Sequence, residues 1–337
     1  MAQPTIYDVS RRAGVSIATV SRVLNSPDRV NPETRARVLA AIDELDFTPK
    51  FEALARARKR VGRIGVLTPY FTTDSFVDRL RGVVAALVGL PYEVVIYDVA
   101  SARQRDAYLT NLALTHRVDG LIVIDLPIDE ATASRLVKHR LATVQIVPSR
   151  LSTTHAVSSI VHDDSAGGRM AADYLLARGH RCFGFVGDVD ANGAAFTVYS
   201  GDQKLDPFRQ TLALAGVPLP DAYVRLAPFG MEHARQQAHR LFDLPTPPTA
   251  IFAGSDAQAI GVIRAARERG IAVPDDVAIM GFDDIEMAEF IGLTTIRQQL
   301  KESGRMAVEL LLSGLNEHAP APQQVALSYT LMQRTSA

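Results

Sequence analysis

Residues 5–25 read TIYDVSRRAGVSIATVSRVLN. Ile6, Val9 and Ala13, then Val20, Val23 and Leu24, recur at three- and four-residue steps, the period of one helix face. Between the two runs stands Ala13-Gly14-Val15-Ser16. The glycine tolerates a sharp turn, Val15 plugs the angle between the helices, and Ser16 caps the second helix. Two short helices joined in this way form a helix-turn-helix. With the second helix starting at Ser16, the residues Ile17, Ala18, Ser21, Arg22 and Asn25 share one face while Val20, Val23 and Leu24 turn inward. That face is small and polar with one cation, so it can sink into a DNA major groove. Arg22 would donate a bidentate pair to guanine, and Thr19 or Ser21 would reach phosphate.

Working outward, Asn31-Pro32-Glu33 is an N-cap followed by proline at the first helical position, and Val38, Ile42 and Leu45 continue as a third apolar stripe. Thr5, with Asp8 three residues on, marks the start of the first helix. The same caps would serve any three-helix bundle, and charge argues for a DNA-facing one. Residues 1–60 hold 11 Lys+Arg against 7 Asp+Glu, a net of +4, whereas residues 61–337 hold 25 against 30, a net of -5. A basic N-terminal module beside a mildly acidic remainder suits a polyanion partner. Arg56, Arg58, Lys59, Arg60 and Arg63 crowd the junction between the two.

Beyond Arg63 the pattern changes to short apolar strands alternating with longer helical stretches: RIGVLTP, YEVVIYDV, VDGLIVID, ATVQIVP, CFGFVGD, AYVRLAP, TAIFAGSD and VAIMGFDD. Such alternation implies parallel sheets with crossover helices, here in two doubly wound lobes at about 63–160 and 163–290, with 291–337 crossing back. Many strands end in polar clusters, and ligands of open parallel sheets bind outside the strands' carboxyl ends.

At 337 residues, 47% apolar and 22% charged, the chain belongs to folded globular proteins. The single cysteine, Cys182, excludes an internal disulfide framework, and no charged-then-apolar leader precedes Thr5. No run reaches the roughly 18 apolar residues of a membrane helix, so a cytoplasmic protein is expected. His162 with Asp163, or His180 with Cys182, stand without any acidic dyad, phosphate-cradling loop or nucleophile motif, so neither an enzyme nor a cofactor is expected. SAGGRM reads as a helix start with glycines.

Together with RVNPETRARVLAAIDELDFTP, VDGLIV, DDSAGG, LARGH, GFDD and LTTIRQ, the opening stretch resembles the LacI/GalR family of repressors over nearly the whole chain. The resemblance implies an all-α helix-turn-helix head (1–48), a hinge (49–62) and a periplasmic-binding-protein-like α/β core (63–337). It also implies a homodimer, or a tetramer, on a pseudo-palindromic operator, with a small-molecule effector that is commonly a sugar. By motif, Thr5 and Tyr7 match phosphate contacts, Ser16, Ile17, Ala18, Thr19, Ser21, Arg22 and Asn25 match the recognition helix, and Arg29 and Val30 match the following loop. A free-standing solute-binding protein would explain the core equally well but not residues 1–60.

The resemblance places effector contacts at Tyr70, Thr73, Ser75, Phe76, Asp125, Arg150, Lys204, Phe229, Asp256 and Asp283. Carboxylates and a guanidinium can take paired hydroxyls while aromatic rings cover a sugar's apolar face, and a nucleobase could use the same parts. Two positions depart from the family pattern: Lys204 replaces the usual arginine, and Ser255 the usual asparagine. In the hinge the usual minor-groove leucine position falls on Arg56, with Leu54 two residues earlier. Either Leu54 wedges the base step, or Arg56 enters a narrow groove as a cation.

Overall fold

The computed structural model describes residues 4–25, 30–45, 47, 61–148, 155–189, 202–316 and 320–337. It divides into two compact units, Met1–Gly62 and Arg63–Ala337.

The first unit is three helices, α1 (Ile6–Ala13), α2 (Ile17–Asn25) and α3 (Pro32–Leu45). Each supplies one fully buried valine, Val9, Val20 and Val38, joined by Ala13, Val23 and Ala41. Burying each such side chain contributes about 1.5–3 kcal/mol. Val15 packs against this cluster from the turn, as do Ile42 and Leu45. Gly14 closes α1 at φ 66°, a left-handed conformation that glycine adopts at no steric cost.

The second unit holds two six-stranded sheets. The first orders its strands β2 (Glu93–Asp98), β1 (Arg63–Thr68), β3 (Gly120–Ile124), β4 (Ala142–Pro148), β5 (Ser158–His162) and β11 (Gln324–Leu327). The second runs β7 (Val224–Ala227), β6 (Phe183–Asp188), β8 (Ala250–Ala253), β9 (Ala278–Asp283), β10 (Thr294–Arg297) and β12 (Thr330–Met332). All neighbours are parallel except β12, which pairs antiparallel with β10. The two lobes thus repeat one doubly wound order.

Strand periodicity explains the layering. In β3, Leu121 and Val123 join one apolar cluster while Ile122 and Ile124 join the other, on the opposite face. The second sheet divides likewise: Phe185, Phe252 and Met280 face one way, Ile251, Ala253 and Ile279 the other. Both faces of the central strands are covered, so these strands read as continuous apolar runs.

The sheet order places the crossings more finely than the sequence pattern does. The chain leaves lobe one after β5, stays in lobe two through β10, and returns through the helix Leu300–Gly314, which packs on the helix Asp74–Leu87. It then adds β11 to lobe one and β12 to lobe two. Strands β5, β11 and β12 escape the sequence reading because they are short and mixed in polarity. The two helices cross where Gly304 meets Arg79: a Cβ on Gly304 would lie 2.0 Å from the Arg79 carbonyl oxygen. No helix among the described residues is long and apolar enough to cross a membrane.

Candidate functional sites: an exposed helix face and a cleft between lobes

The head's caps form as the residue types require. The Asp8 carboxylate accepts from the Thr5 backbone N–H at 2.9 Å and from its hydroxyl at 2.7 Å, and the hydroxyl bond chiefly holds Asp8 below its ordinary range. Ser16 Oγ accepts from the Thr19 N–H at 3.1 Å, and Asn31 Oδ1 accepts from the Glu33 N–H at 2.9 Å. These caps satisfy helix N–H groups that have no partner within the helix. With α2 started at Ser16, the side chains of Ser16, Ile17, Ala18 and Arg22 are exposed, and Thr19 and Ser21 are half-buried beside them. Thr5 and Tyr7 are exposed on α1, Tyr7 at 64%. Val30 is half-buried against the head's apolar cluster. The Asn25 side chain and Arg29, Leu54 and Arg56 lie outside the described residues, as does Arg150.

In the second unit, Tyr70, Thr73, Ser75 and Phe76 follow β1 and face Asp188, Phe229 and Asp283 of lobe two across a pocket. Tyr70 stacks on Phe229, ring centroids 6.4 Å apart at 26°, and meets Phe76 edge-on at 6.3 Å. The rings leave a cavity of about 20 Å³, room for little more than a water. A ring-sized molecule would fit here only with Tyr70 parted from Phe229. Tyr70 and Asp125 hold φ 49° and Asp283 φ 122°, positive values that cost non-glycine residues roughly 1–3 kcal/mol each and cluster at ligand clamps.

Beneath the pocket lies a charged layer. Asp125, at the end of β3, is 3% exposed; its Oδ2 stands 4.0 Å from Arg79 Nη1 and its Oδ1 3.7 Å from His162 Nε2. Arg79 Nη2 donates to Gln298 Oε1 at 3.1 Å, and Gln298 Nε2 donates to Asp283 Oδ1 at 2.6 Å. Tyr329 donates to Asp164 at 2.6 Å and lies 3.1 Å from His162 Nδ1. Lys204 is 3% exposed, donates to the Gly254 carbonyl at 3.1 Å and sits 4.1 Å over the Phe282 ring. It belongs to the floor of lobe two and does not line the pocket.

Burial and neighbouring charge set the protonation of this layer. Burial pushes Asp283 up to about 6, against the pull of Lys204 and Arg79. Burial also pushes Asp164 upward, but the Lys204 ammonium and the His162 ring hold it well below the usual carboxylate range. His162 rises above its ordinary value because the Asp164 and Asp125 carboxylates outweigh its burial. Asp256, expected as an effector contact, is fully buried. Its Oδ2 accepts from the Ile285 N–H and its Oδ1 from the Thr295 hydroxyl, so both oxygens serve the joint between β9 and β10. Ser255, in place of the family asparagine, is the N-cap of the helix Asp256–Glu268. Asp283 and Asp284 cap no helix; Asp284 pairs with Arg297 at 2.6 Å.

Several residues of this site escape the sequence reading. Asp188 ends β6 in the polar cluster Gly187-Asp188, so a strand-end rule would have found it. Arg79 and Gln298 carry no such mark: one lies in an amphipathic helix, the other in a connection. Among the described residues no group of three or more His, Cys, Asp or Glu side chains is arranged to hold a metal ion.

Residues 5–50 match the model of bacterial regulatory proteins, lacI family, and residues 172–337 that of a periplasmic binding protein-like domain. The ribose operon repressor of Escherichia coli (strain K12) is 33% identical over 99% of both chains. The lac repressor dimer bound to operator and the anti-inducer ONPF superposes with a TM-score of 0.76 at 27% identity, over 99% of both chains. A complex of the transcriptional regulator CelR with cellobiose superposes with a TM-score of 0.70, also at 27% identity, over 99% of this chain and 100% of the other. End-to-end identity to a repressor, a capped helix-turn-helix head and a two-lobe cleft agree, and the chain belongs to the lacI family of bacterial regulatory proteins.

Proposed function

We propose that this chain is a cytoplasmic, non-enzymatic transcriptional repressor of a carbohydrate-utilisation operon. It binds a pseudo-palindromic operator as a dimer and changes its operator affinity when a neutral, sugar-like polyol enters the cleft. The observation that carries this reading is the exposed face of α2, where Ser16, Ile17, Ala18 and Arg22 project from a helix capped and anchored on its other side. A face this small fits the major groove, and Arg22 is the base-reading fork among its described side chains. Ile17 and Ala18 supply the apolar contacts that set the operator sequence.

We assign residues 1–48 to the reading head, 49–62 to a hinge that orders on DNA, and 63–337 to effector binding and dimerisation. In the hinge either Leu54 wedges a base step or Arg56 lies in the minor groove. DNA bending by the Leu54→Ala and Arg56→Ala variants separates the two.

The cleft's chemistry supports a polyol. Asp188 and Asp283 accept hydroxyl protons, Thr73 and Ser75 exchange hydrogen bonds in either direction, and Tyr70, Phe76 and Phe229 cover an apolar ring face. The chain's relatives, a ribose operon repressor and a regulator in complex with cellobiose, point the same way. Coupling between cleft and operator of about 1–3 kcal/mol is the usual size.

Fluorescence anisotropy with palindromic and random duplexes tests the reading: specific, dimer-dependent binding supports it, and equal affinity for both duplexes defeats it. A thermal-shift panel of mono- and disaccharides, with nucleobases as the competing class, identifies the effector.

A further inference from the structure

The chain passes between the lobes three times: from β5 into the helix Asp164–Ala177, from β10 into the helix Leu300–Gly314, and from β11 to β12. Polar side chains turned away from solvent occupy each passage. His162 and Asp164, both buried, stand in the first, buried Gln298 in the second and half-buried Tyr329 in the third. Arg79, of the helix Asp74–Leu87, reaches into this group from outside the passages.

We propose that Arg79 is the positioning residue through which the two lobes respond together to a ligand in the cleft. It links Asp125 of lobe one, by way of Gln298, to Asp283 of lobe two. The proposal rests on reading the cleft as the effector site, and it assigns a role to two residues, Arg79 and Gln298, that do not line the pocket around Tyr70 themselves but stand behind its walls Phe76 and Asp283.

Three observations support it. First, Arg79 is a charge where the helix otherwise presents Phe76, Leu80, Val83 and Leu87 to the core, and it is only 3% exposed. A buried guanidinium costs several kcal/mol in desolvation, and replacing a whole buried charge pair together by apolar groups is often neutral or stabilising, so stability alone does not account for its presence. Second, its placement is locked: Gly304 passes so close to the Arg79 carbonyl that any Cβ there would collide.

Third, the network is unfinished in this state. Asp125 Oδ1 and His162 Nε2 are buried without a hydrogen-bond partner in the protein and stand 3.7 Å apart, and Arg79 Nη1 stands 4.0 Å from Asp125 Oδ2, each pair just beyond bonding range. A shift of under an ångström closes those gaps, whereas Gln298 is already committed at both ends. Buried polar groups normally find partners, and a set this close to closing can take up a second arrangement in which Asp125 meets both His162 and Arg79. The Gln298 amide is also directional. Its carbonyl accepts from Arg79 only while its NH₂ donates to Asp283, so a ligand hydroxyl that takes over the Asp283 oxygen changes what Arg79 and Asp125 experience.

The test is a mutant cycle on the full chain that needs no ligand. Asp125→Asn and Asp283→Asn are made singly and together, in the wild-type background and in Arg79→Met. In the wild type the combined Tm change departs from the sum of the single changes by about 3 °C, and in Arg79→Met the changes add to within about 1 °C. Arg79→Lys, which keeps the charge and loses the fork, behaves like Arg79→Met. Gln298→Leu removes the middle link while keeping the Arg79 and Asp125 charges together, and carries the same comparison if Arg79→Met does not fold. Equal non-additivity in all backgrounds, or additivity in the wild type, overturns the proposal. Failure of the effector reading shows separately, as a wild-type protein whose Tm no sugar in the panel moves.

Discussion

Arg22 and Arg79 are the same side chain put to opposite uses. Arg22 is exposed on α2, with nothing in the head's apolar cluster depending on it. Arg79 is 3% exposed, in a layer of charges that hold one another in place. The head keeps recognition on its surface and stability in its core, so the two can be changed independently. In the cleft Asp283, proposed above to take an effector hydroxyl, sits on the hydrogen-bond network that joins the lobes, so on that reading binding and stability change together there.

The sharpest way to break this contrast is Arg79→Ala. Removing one partner of a buried charge network leaves the others uncompensated, and the expected loss is about 3–5 kcal/mol in urea unfolding of the core. A loss under about 1 kcal/mol would place Arg79 with Arg22 as a dispensable charge.

Arg22→Ala is expected to cost about 1–3 kcal/mol of operator affinity and to relax specificity at one base pair. Its Tm should stay within the scatter of a surface substitution, about 0.5 kcal/mol. A uniform loss across all duplexes would make Arg22 a phosphate contact instead.

Smaller effects sharpen the comparison. Replacing Ser16 with alanine removes the cap of α2 and is expected to cost the head about 1 kcal/mol without touching the core, as read by two-domain thermal unfolding.

Asp283 yields a pH signature that belongs to the core alone. Its folded value of about 6 lies above the ordinary 3.8, so the folded state binds this proton more tightly than the unfolded chain does. The resulting stabilisation is present below about pH 4 and is lost as pH rises through about 6. Asp283→Asn should flatten that part of the stability profile; an unchanged slope would assign it to another group.

The head was legible because its logic is local. Thr5, Asp8, Ser16, Asn31 and Pro32 each act on residues two to four positions away, and the valines repeat at helical spacing, so a short window contains both cause and effect. The cleft was legible in part. Tyr70, Thr73, Ser75, Phe76, Phe229 and Asp283, placed by the family resemblance, do meet around one pocket, as side chains near strand ends in an open parallel sheet can. Lys204 and Asp256 bear the same strand-end and helix-start marks, yet they turn into the floor of lobe two. A local pattern does not report which way a buried polar side chain finds its partners.

By itself the sequence determined the helix-turn-helix, the alternation that makes two parallel sheets, the split of charge between head and core, and the family. The first two follow from periodicity and from caps acting over a few residues, the charge split from composition, and the family from the resemblance of its motifs. Only the tertiary structure decided that Arg79 meets a glutamine 219 positions away and that His162, Gln298 and Tyr329 share the passages between the lobes. Those contacts depend on three crossings of the chain. Buried charges are satisfied by whatever the fold brings within about 3 Å of them, and sequence distance carries no trace of that choice.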